Sequence, residues 1–445
     1  MRQVPRRRAL AATFALTLLG ALVAASDSSA AASPAATAAP RVDFHKWTTL
    51  ADFQSGTAAG VTELAGDRNG IQIAAPIGTI SYHDAVLHTT KTYAYSTWTS
   101  PVRTLTFGAT ELVSSWDAQT PAGTWLKVEL DATMEDGHQT GWLDMGNWAA
   151  LDTDIGRTSL SPSAAPYGGV STDTFNAAAG HSVQAYQLRA TLYRLSSGTA
   201  TPRLWQAGAF ASLVPARTGV AASSLGGAEG IELTVPRYSQ QIHVGQYRKY
   251  GGGGDAWCSP TSTEMITEFW GTGPTASDLS WVDPSYADPS VDYAARETYD
   301  YAYQGTGNWP FNAGYAAHFG LDAEVVQLQS TDDLEQLVKA GIPVAISVAF
   351  DSAELTGAGY STAGHLMVVT GFTATGDFIV NDPFSPSDPA VRHIYQRRQL
   401  ESIWLRTTWT RPDGTTGSGS GGVAYLYTPH TTALPPVLDP QNPTW

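Results

Sequence analysis

Residues 255–271 read DAWCSPTSTEMITEFWG and contain Cys258, the only cysteine in a chain of 445 residues. Pro260 suits the first turn of a helix, and the Ser and Thr residues around it suit a helix cap. Apolar residues then recur at helical spacing as far as Gly271, a residue type that commonly follows the last helical turn. The sequence therefore predicts a helix with Cys258 at its N-terminus.

The predicted position of this cysteine favours reactivity. Unpaired backbone N–H groups and the positive end of the helix dipole stabilise a thiolate relative to a thiol. An odd cysteine in a secreted chain is either a reactive thiol of this kind or a small buried apolar residue. Cys258 is therefore a candidate nucleophile, with an inert core cysteine as the alternative.

The first 32 residues have the features of a signal peptide. Three arginines at 6–8 precede an apolar run at 9–25 and a zone of small residues, which predicts secretion, by the Sec or the twin-arginine route. An uncleaved membrane anchor is the alternative. No later apolar run is long enough to span a membrane. The formal net charge of −15 argues against nucleic acid and anionic membranes as partners.

The region from 42 to 216 has a β pattern. TWLKVEL (124–130) and AYQLRATLYR (185–194) alternate apolar and polar residues between turn-rich stretches, which predicts an antiparallel β-sandwich domain. Its several tryptophans suit a core, or else a surface that stacks on sugars or peptides. The Ala/Pro-rich residues 33–41 are expected to be disordered, and the small, polar residues 217–232 are expected to form a linker.

The remainder, residues 233–428, is predicted to be an α+β domain. We expect an aromatic loop and short helix at 308–320 and a capped helix at 330–341. Strands are expected at 342–350, where both faces would be buried, and at 365–372 and 377–384. The Pro-rich tail at 430–445 is expected to be loose.

A thiolate nucleophile needs a base and a group that orients the base. His365 opens an apolar strand, so its ring can emerge at a strand end, whereas His318 and His393 are rival bases in less suitable contexts. Asp382 lies at the matching end of the next strand, 17 residues from His365, which is enough for a strand, a turn and a strand back. Because alternate side chains of a strand point to opposite faces, only one of Asn381 and Asp382 can face the ring.

Six segments carry a resemblance to a known family: VPRYSQ, WCSPTSTEM, NWPFNAGYAAHFGL, AGIPVAISV, GHLMVVTGF and VNDPF, in that order. Over residues 233–410 they resemble exported actinobacterial cysteine peptidases, which are similar to the bacteriocin-processing (double-glycine) peptidase family of the papain-like clan. The resemblance implies a papain-like fold with Cys258 as nucleophile, His365 as base and Asp382 as its orienter. It also implies a glutamine in the oxyanion hole, which the motif places at Gln240.

Two departures from the family pattern bear on the site. Ser259 stands where the family usually has Gly, so the approach to the oxyanion hole is expected to be tighter. Gln240 lies further from Cys258 than usual, which leaves Gln246 as an alternative, with the glycines at 251–254 forming the extra loop.

We therefore expect a secreted cysteine peptidase that hydrolyses peptide bonds in a peptide or protein substrate without a metal or organic cofactor. The sequence contains no HExxH, GxSxG, P-loop or dinucleotide-binding motif that would indicate another chemistry. One alternative is an inactive papain-like domain in an extracellular binding protein, with cell-wall or carbohydrate contacts through the N-terminal domain. The other is acyl transfer by the same three residues.

Overall fold

The computed structural model describes residues 40–159, 164–215 and 217–445. The expected signal peptide, and residues 33–39 of the segment expected to be disordered, lie outside these ranges. Across these ranges, no helix has the length and apolar character needed to cross a membrane.

The N-terminal region, residues 40–215, is mostly β-structure with one short helix. Its elements are β1 (Arg41–Trp47), α1 (Leu50–Ser55), β2 (Thr57–Ala59), β3 (Val61–Leu64), β4 (Gly70–Ile73), β5 (Gly78–Asp84), β6 (Thr89–Thr99), β7 (Arg103–Ala109), β8 (Glu111–Gln119), β9 (Thr124–Met134), β10 (Leu143–Trp148), β11 (Gly168–Ser171), β12 (Thr174–Ala177), β13 (Val183–Leu195) and β14 (Arg203–Leu213).

These strands form two antiparallel sheets. One has the order β11-β12-β8-β14-β4-β3, with β1 also paired to β14, and the other has the order β10-β9-β13-β6-β2, with β5 on β6 and β7 on β13. Side chains from both sheets form one apolar cluster. Trp98, Trp116 and Trp148 are fully buried in this cluster, in line with the core alternative for the tryptophans.

The C-terminal region combines helices with a six-stranded antiparallel sheet. Its elements are α2 (Cys258–Phe269), α3 (Pro289–Glu297), α4 (Trp309–His318), β15 (Leu321–Gln327), α5 (Thr331–Lys339), β16 (Val344–Phe350), β17 (Thr362–Phe372), β18 (Phe378–Asn381), β19 (Arg392–Tyr395), α6 (Arg397–Leu405), β20 (Thr408–Thr410), β21 (Thr416–Ser418) and β22 (Val423–Pro429). The sheet has the order β15-β22-β16-β17-β18-β19, and β20 pairs with β21.

Several predicted elements are present with small changes at their ends. In α5 the expected cap is a reciprocal capping box between Ser330 and Asp333, and every residue of β16 is buried. α4 begins at Trp309, so the aromatic residues expected in a loop lie in the helix itself. The Asn308 side chain caps this end by accepting a hydrogen bond from the N–H of Phe311 at 3.1 Å. β18 ends at Asn381, short of the predicted residue 384, because Pro383 has no N–H to continue the ladder.

The predicted linker and tail are packed rather than loose. Within the linker, the N–H of Gly230 donates to the carbonyl of Phe372 at 3.0 Å, so this segment lies against β17. In the tail, the carbonyl of Pro443 accepts from the N–H of Phe44 at 2.9 Å, and Trp445 packs against the C-terminal core. The expectation of a loose tail failed because its proline-rich composition conceals these anchoring contacts. The domain boundaries stay predictions.

The two regions share a core. Phe311 and Tyr315 of α4 belong to the apolar cluster of the N-terminal sheets, and Phe311 lies 5.4 Å from Trp148 between ring centroids. Beside this contact, the fully buried Arg157 pairs with Glu297 at 3.1 Å. Burial of so much apolar surface favours folding of both regions as one unit.

Phe311→Ala should therefore lower the free energy of unfolding by about 3–5 kcal/mol and destabilise both regions together, because it opens a cavity in the common core. Chemical denaturation followed by tryptophan fluorescence measures this change. Ile394→Ala, at a side chain that is 52% exposed, is the matched control and should have little effect. A small effect of Phe311→Ala, or two separate transitions in the unaltered protein, would contradict the shared core.

Candidate active site

The structure places Cys258 as the first residue of α2, as predicted from the sequence. The predicted side-chain cap is absent, since the N-cap residue is Trp257 and no side chain caps this end. Instead, α2 is fixed by its first-turn side chains. Ser259 Oγ lies 2.8 Å from Tyr425 Oη, and Ser262 Oγ donates to the carbonyl of Leu366 at 3.1 Å. The helix N-terminus is thereby held against β17 and β22.

These contacts also show what the serine does in place of the family's glycine. The Ser259 side chain is buried and bonded to Tyr425, so it points toward the sheet. The cleft beside Cys258 is lined by other residues, and Ser259 is not among them.

His365 and Asp382 meet at one end of the C-terminal sheet. His365 lies near the start of β17, and Asp382 directly follows the last residue of the antiparallel neighbour β18. An antiparallel pair brings the start of one strand beside the end of the next. His365 Nε2 lies 2.8 Å from Asp382 Oδ1, which leaves Nδ1 as the ring nitrogen available to Cys258.

Asp382 is surrounded by hydrogen-bond donors. Its Oδ2 accepts from the hydroxyls of Tyr360 at 2.9 Å and Tyr395 at 2.7 Å, and its Oδ1 also accepts from the N–H of Phe384 at 3.0 Å. Burial alone would raise the pKa of Asp382, but the charge and hydrogen bond of His365, together with the hydrogen bonds from Tyr395 and the N–H of Phe384, lower it below its usual range. The carboxylate is therefore ionised and held in one orientation.

Asn381 points away from this group. Its Nδ2 donates to the carbonyl of Pro236 at 2.9 Å, with a longer contact to that of Val235. Of the two residues that the sequence left as rivals, Asp382 is the one in contact with His365.

The electrostatics of the pair favour a thiolate and an imidazolium. Burial alone would raise the pKa of Cys258, but the charge of His365, its hydrogen bond and the N–H groups of Leu366 and Ser259 lower it. Burial alone would lower the pKa of His365, whereas the charges of Asp382 and Cys258 and their hydrogen bonds raise it above its usual value. The two shifts widen the pH range in which the ion pair exists.

Gln240 lies in the same cleft, but its amide group is engaged with the loop before Cys258. Its Nε2 donates to the carbonyls of Gly254 at 2.9 Å and Asp255 at 3.1 Å, and its buried Oε1 has no partner among the described residues. A Cβ at residue 254 would lie 2.1 Å from the Gln240 carbonyl oxygen, so glycine is required there. Gln246 is bound to His243 at 2.8 Å and does not line the cleft.

The rival histidines also lie outside the cleft lining. His318 ends α4, where burial lowers its pKa. His393 Nε2 lies 2.9 Å from Ser385 Oγ, and its ring stacks on Tyr395. The described ranges contain no cluster of metal-ligating side chains.

Cys258 and His365 open into a cleft of about 660 Å³. Aromatic side chains line it on the C-terminal side, namely Tyr303, Trp309, Tyr360 and Phe384. Residues 171–173, from the hairpin of β11 and β12 in the N-terminal region, line the same cleft. Sequence reasoning missed this hairpin, as well as Tyr360 and Tyr395, since neither motif nor periodicity connects them to Cys258.

Two protein-family models match the chain, one in each region. Residues 43–212 match a family model described as the peptidase C39 N-terminal domain, and residues 232–410 match one described as a peptidase C39-like family. No curated protein matches the chain.

Two solved structures are similar to parts of the chain. One, from Bacillus anthracis, is described as a C39-like peptidase and has 17% identity and a TM-score of 0.28, covering 45% of this chain and 98% of the other. The other concerns carbohydrate-binding modules of the β-sandwich superfamily, with 10% identity and a TM-score of 0.19, covering 38% of this chain and 57% of the other. The two family models confirm the family resemblance inferred from the sequence: one region is similar to the peptidase C39 N-terminal domain and the other to the peptidase C39-like family.

Proposed function

We propose that this protein is an exported cysteine peptidase with a papain-like catalytic domain. The observation that carries the proposal is the position of Cys258 at a helix N-terminus, in one cleft with a histidine whose second ring nitrogen is bound to a carboxylate. The C39-like family match supports a peptidase and thus a peptide or protein substrate. Export rests on the sequence of residues 1–32 alone, and a carbohydrate contact of the N-terminal region remains an expectation from sequence.

In the proposed mechanism, the Cys258 thiolate attacks the carbonyl carbon of the scissile peptide bond. The developing oxyanion accepts hydrogen bonds from the backbone N–H of Cys258. The His365 imidazolium then gives its proton to the leaving amine, and the C–N bond breaks to leave a thioester on Cys258. Water gives a proton to the now neutral His365 and attacks this thioester. The C–S bond then breaks, which releases the carboxylic acid product and restores the Cys258 thiolate and the His365 imidazolium.

Gln240 is the proposed second donor to the oxyanion. In the structure, the Gln240 amide nitrogen donates to the carbonyls of both Gly254 and Asp255. For the proposed role, one of its N–H groups has to turn from the carbonyl of Asp255 toward the substrate. Asp382 is proposed to hold the tautomer and orientation of His365 and to stabilise its charged form.

The direct test is incubation of the purified protein with a peptide library, followed by mass spectrometry. We expect new peptide termini, and a loss of at least about 10³-fold in turnover for Cys258→Ala and for His365→Ala, because the two groups act as a unit. Thermal melts of each variant check the fold. Cleavage that survives Cys258→Ala would disprove the nucleophile, whereas incorporation of an added amine in place of hydrolysis would indicate acyl transfer.

The pH dependence of thiol alkylation should reveal the ion pair. With iodoacetamide, the rate should rise with pH around a midpoint below the ordinary cysteine value of 9.0, because the pKa of Cys258 is lowered. His365→Ala removes the largest contributions that lower the pKa of Cys258 and leaves burial opposed only by the N–H groups of Leu366 and Ser259, so the midpoint should move upward. His318→Ala is the control and should leave the profile unchanged. An unchanged midpoint in His365→Ala would refute the pairing.

The assignment of Asp382 rather than Asn381 as the residue that orients His365 gives a further test. Asp382→Ala should lower turnover by about 10²–10⁴-fold, less than loss of Cys258 or His365, because packing partly preserves the ring orientation. Asn381→Ala should affect stability more than turnover, since its side chain holds only backbone carbonyls. Steady-state kinetics with thermal melts measure both effects. A larger loss of turnover in Asn381→Ala would favour a Cys-His-Asn set instead.

A further inference from the structure

The hairpin of β11 and β12 brings the N-terminal region into the cleft of Cys258. The strands end at Ser171 and resume at Thr174, so Thr172 and Asp173 form a two-residue turn at the hairpin tip. Residues 171–173 line the same cavity as Cys258 and His365. The N-terminal region is thus part of the cleft wall.

Hydrogen bonds fix this tip to the C-terminal region. Asp173, which is 6% exposed, accepts from the N–H of Trp309 through Oδ2 at 2.7 Å, and Trp309 itself lines the cleft. The loop before Trp309 is also held from the N-terminal side, since the N–H of Tyr301 donates to the carbonyl of Arg157 at 2.9 Å. Residues of both regions therefore form one cleft wall together, and hydrogen bonds between the regions hold it in place.

Thr172 occupies the tip in an unfavourable backbone conformation. Its φ is +58°, a region in which a β-branched residue is strained and glycine or asparagine is preferred. Its half-buried side chain makes no hydrogen bond to any described residue. Local folding therefore gives no reason for threonine at this position, whereas a side chain exposed to the cleft can contact a bound ligand.

The charge of the cleft restricts what can bind. Asp173 and the exposed Asp255 line it, and no Lys or Arg does so within the described ranges. The positive charge of His365, which also lines the cleft, is paired with Asp382 and Cys258. A peptide with an acidic side chain would meet like charge here, whereas an uncharged or basic side chain would not.

We propose that the β11–β12 hairpin is a substrate-binding wall on which Thr172 is a specificity-determining residue, and that Asp255 makes the same cleft favour peptides with uncharged or basic side chains. The proposal rests on the proposed peptidase function of the same cleft. Asp173 is a positioning residue: its hydrogen bond to Trp309 holds the hairpin tip, and with it Thr172, at the cleft.

Two reagents that both alkylate Cys258 separate substrate contact from thiol chemistry. Iodoacetamide reports the reactivity of the thiol, and acetyl-tetraalanyl chloromethyl ketone reports its reactivity when a peptide occupies the cleft. Thr172→Gly should lower the second-order rate constant for the peptidyl reagent by about tenfold and leave that for iodoacetamide unchanged. Thr172→Asn, which tolerates positive φ without a flexible glycine, should show the same loss. An unchanged peptidyl rate in both variants, or a loss in Thr172→Gly alone, would overturn the contact.

His88→Gly is the matched control. His88 also has positive φ, at +52°, in an exposed turn of the same region that does not line the cleft. Thr172→Gly and His88→Gly should both retain or raise the melting temperature, since glycine suits each backbone. Only Thr172→Gly should change the peptidyl rate. A matching loss in His88→Gly would assign the effect to the general stability of the region and overturn the proposal.

The charge preference is tested with two further tetrapeptidyl chloromethyl ketones, in which one alanine is replaced by lysine or glutamate. The glutamate reagent should react more slowly than the lysine reagent, and Asp255→Asn should reduce the difference. Equal rates, or faster reaction of the glutamate reagent, would overturn the charge preference. Failure of iodoacetamide to label Cys258 would instead count against the peptidase function, so the two failures are distinguishable.

Discussion

The hydrogen bond between His365 and Asp382 is the constraint on which the candidate site depends. It occupies Nε2 of the ring, turns Nδ1 toward Cys258 and places a carboxylate beside an imidazolium. The bond exists because Asp382 is itself fixed by Tyr360, Tyr395 and the N–H of Phe384. A buried carboxylate with this many donors stays ionised, and its charge raises the pKa of His365, whose own charge lowers the pKa of Cys258.

The second constraint is the common core of the two regions. Because Phe311 packs among the N-terminal sheets, α4 and the loop before it cannot move independently of those sheets. Asp173 continues this attachment up to the cleft. Without the N-terminal region, the cavity that surrounds Cys258 would lack the wall formed by residues 171–173.

The sequence was informative where a local pattern determines structure. The helix at Cys258, the buried strand β16 and the capping box of α5 follow from periodicity and cap residues, and the contact of Asp382 with His365 agrees with strand alternation. Tyr360 and Tyr395 lie only 22 and 13 residues from Asp382, but no motif or periodicity indicates that their hydroxyls point to it. The β11–β12 hairpin is far from Cys258 in sequence, and its proximity to the cleft is set by tertiary packing. The prediction of a loose proline-rich tail did not foresee its anchoring contacts, because they are made with residues distant in sequence.

The central claim is that Cys258 is the nucleophile of a cleft built by both regions. A crystal structure of the protein after reaction with acetyl-tetraalanyl chloromethyl ketone tests it most directly. The account predicts a bond between the reagent's methylene carbon and Cys258 Sγ, His365 beside the adduct, and the alanine chain in contact with Thr172. A modification at another residue, or a peptide chain that leaves the cleft away from residues 171–173, would contradict the account.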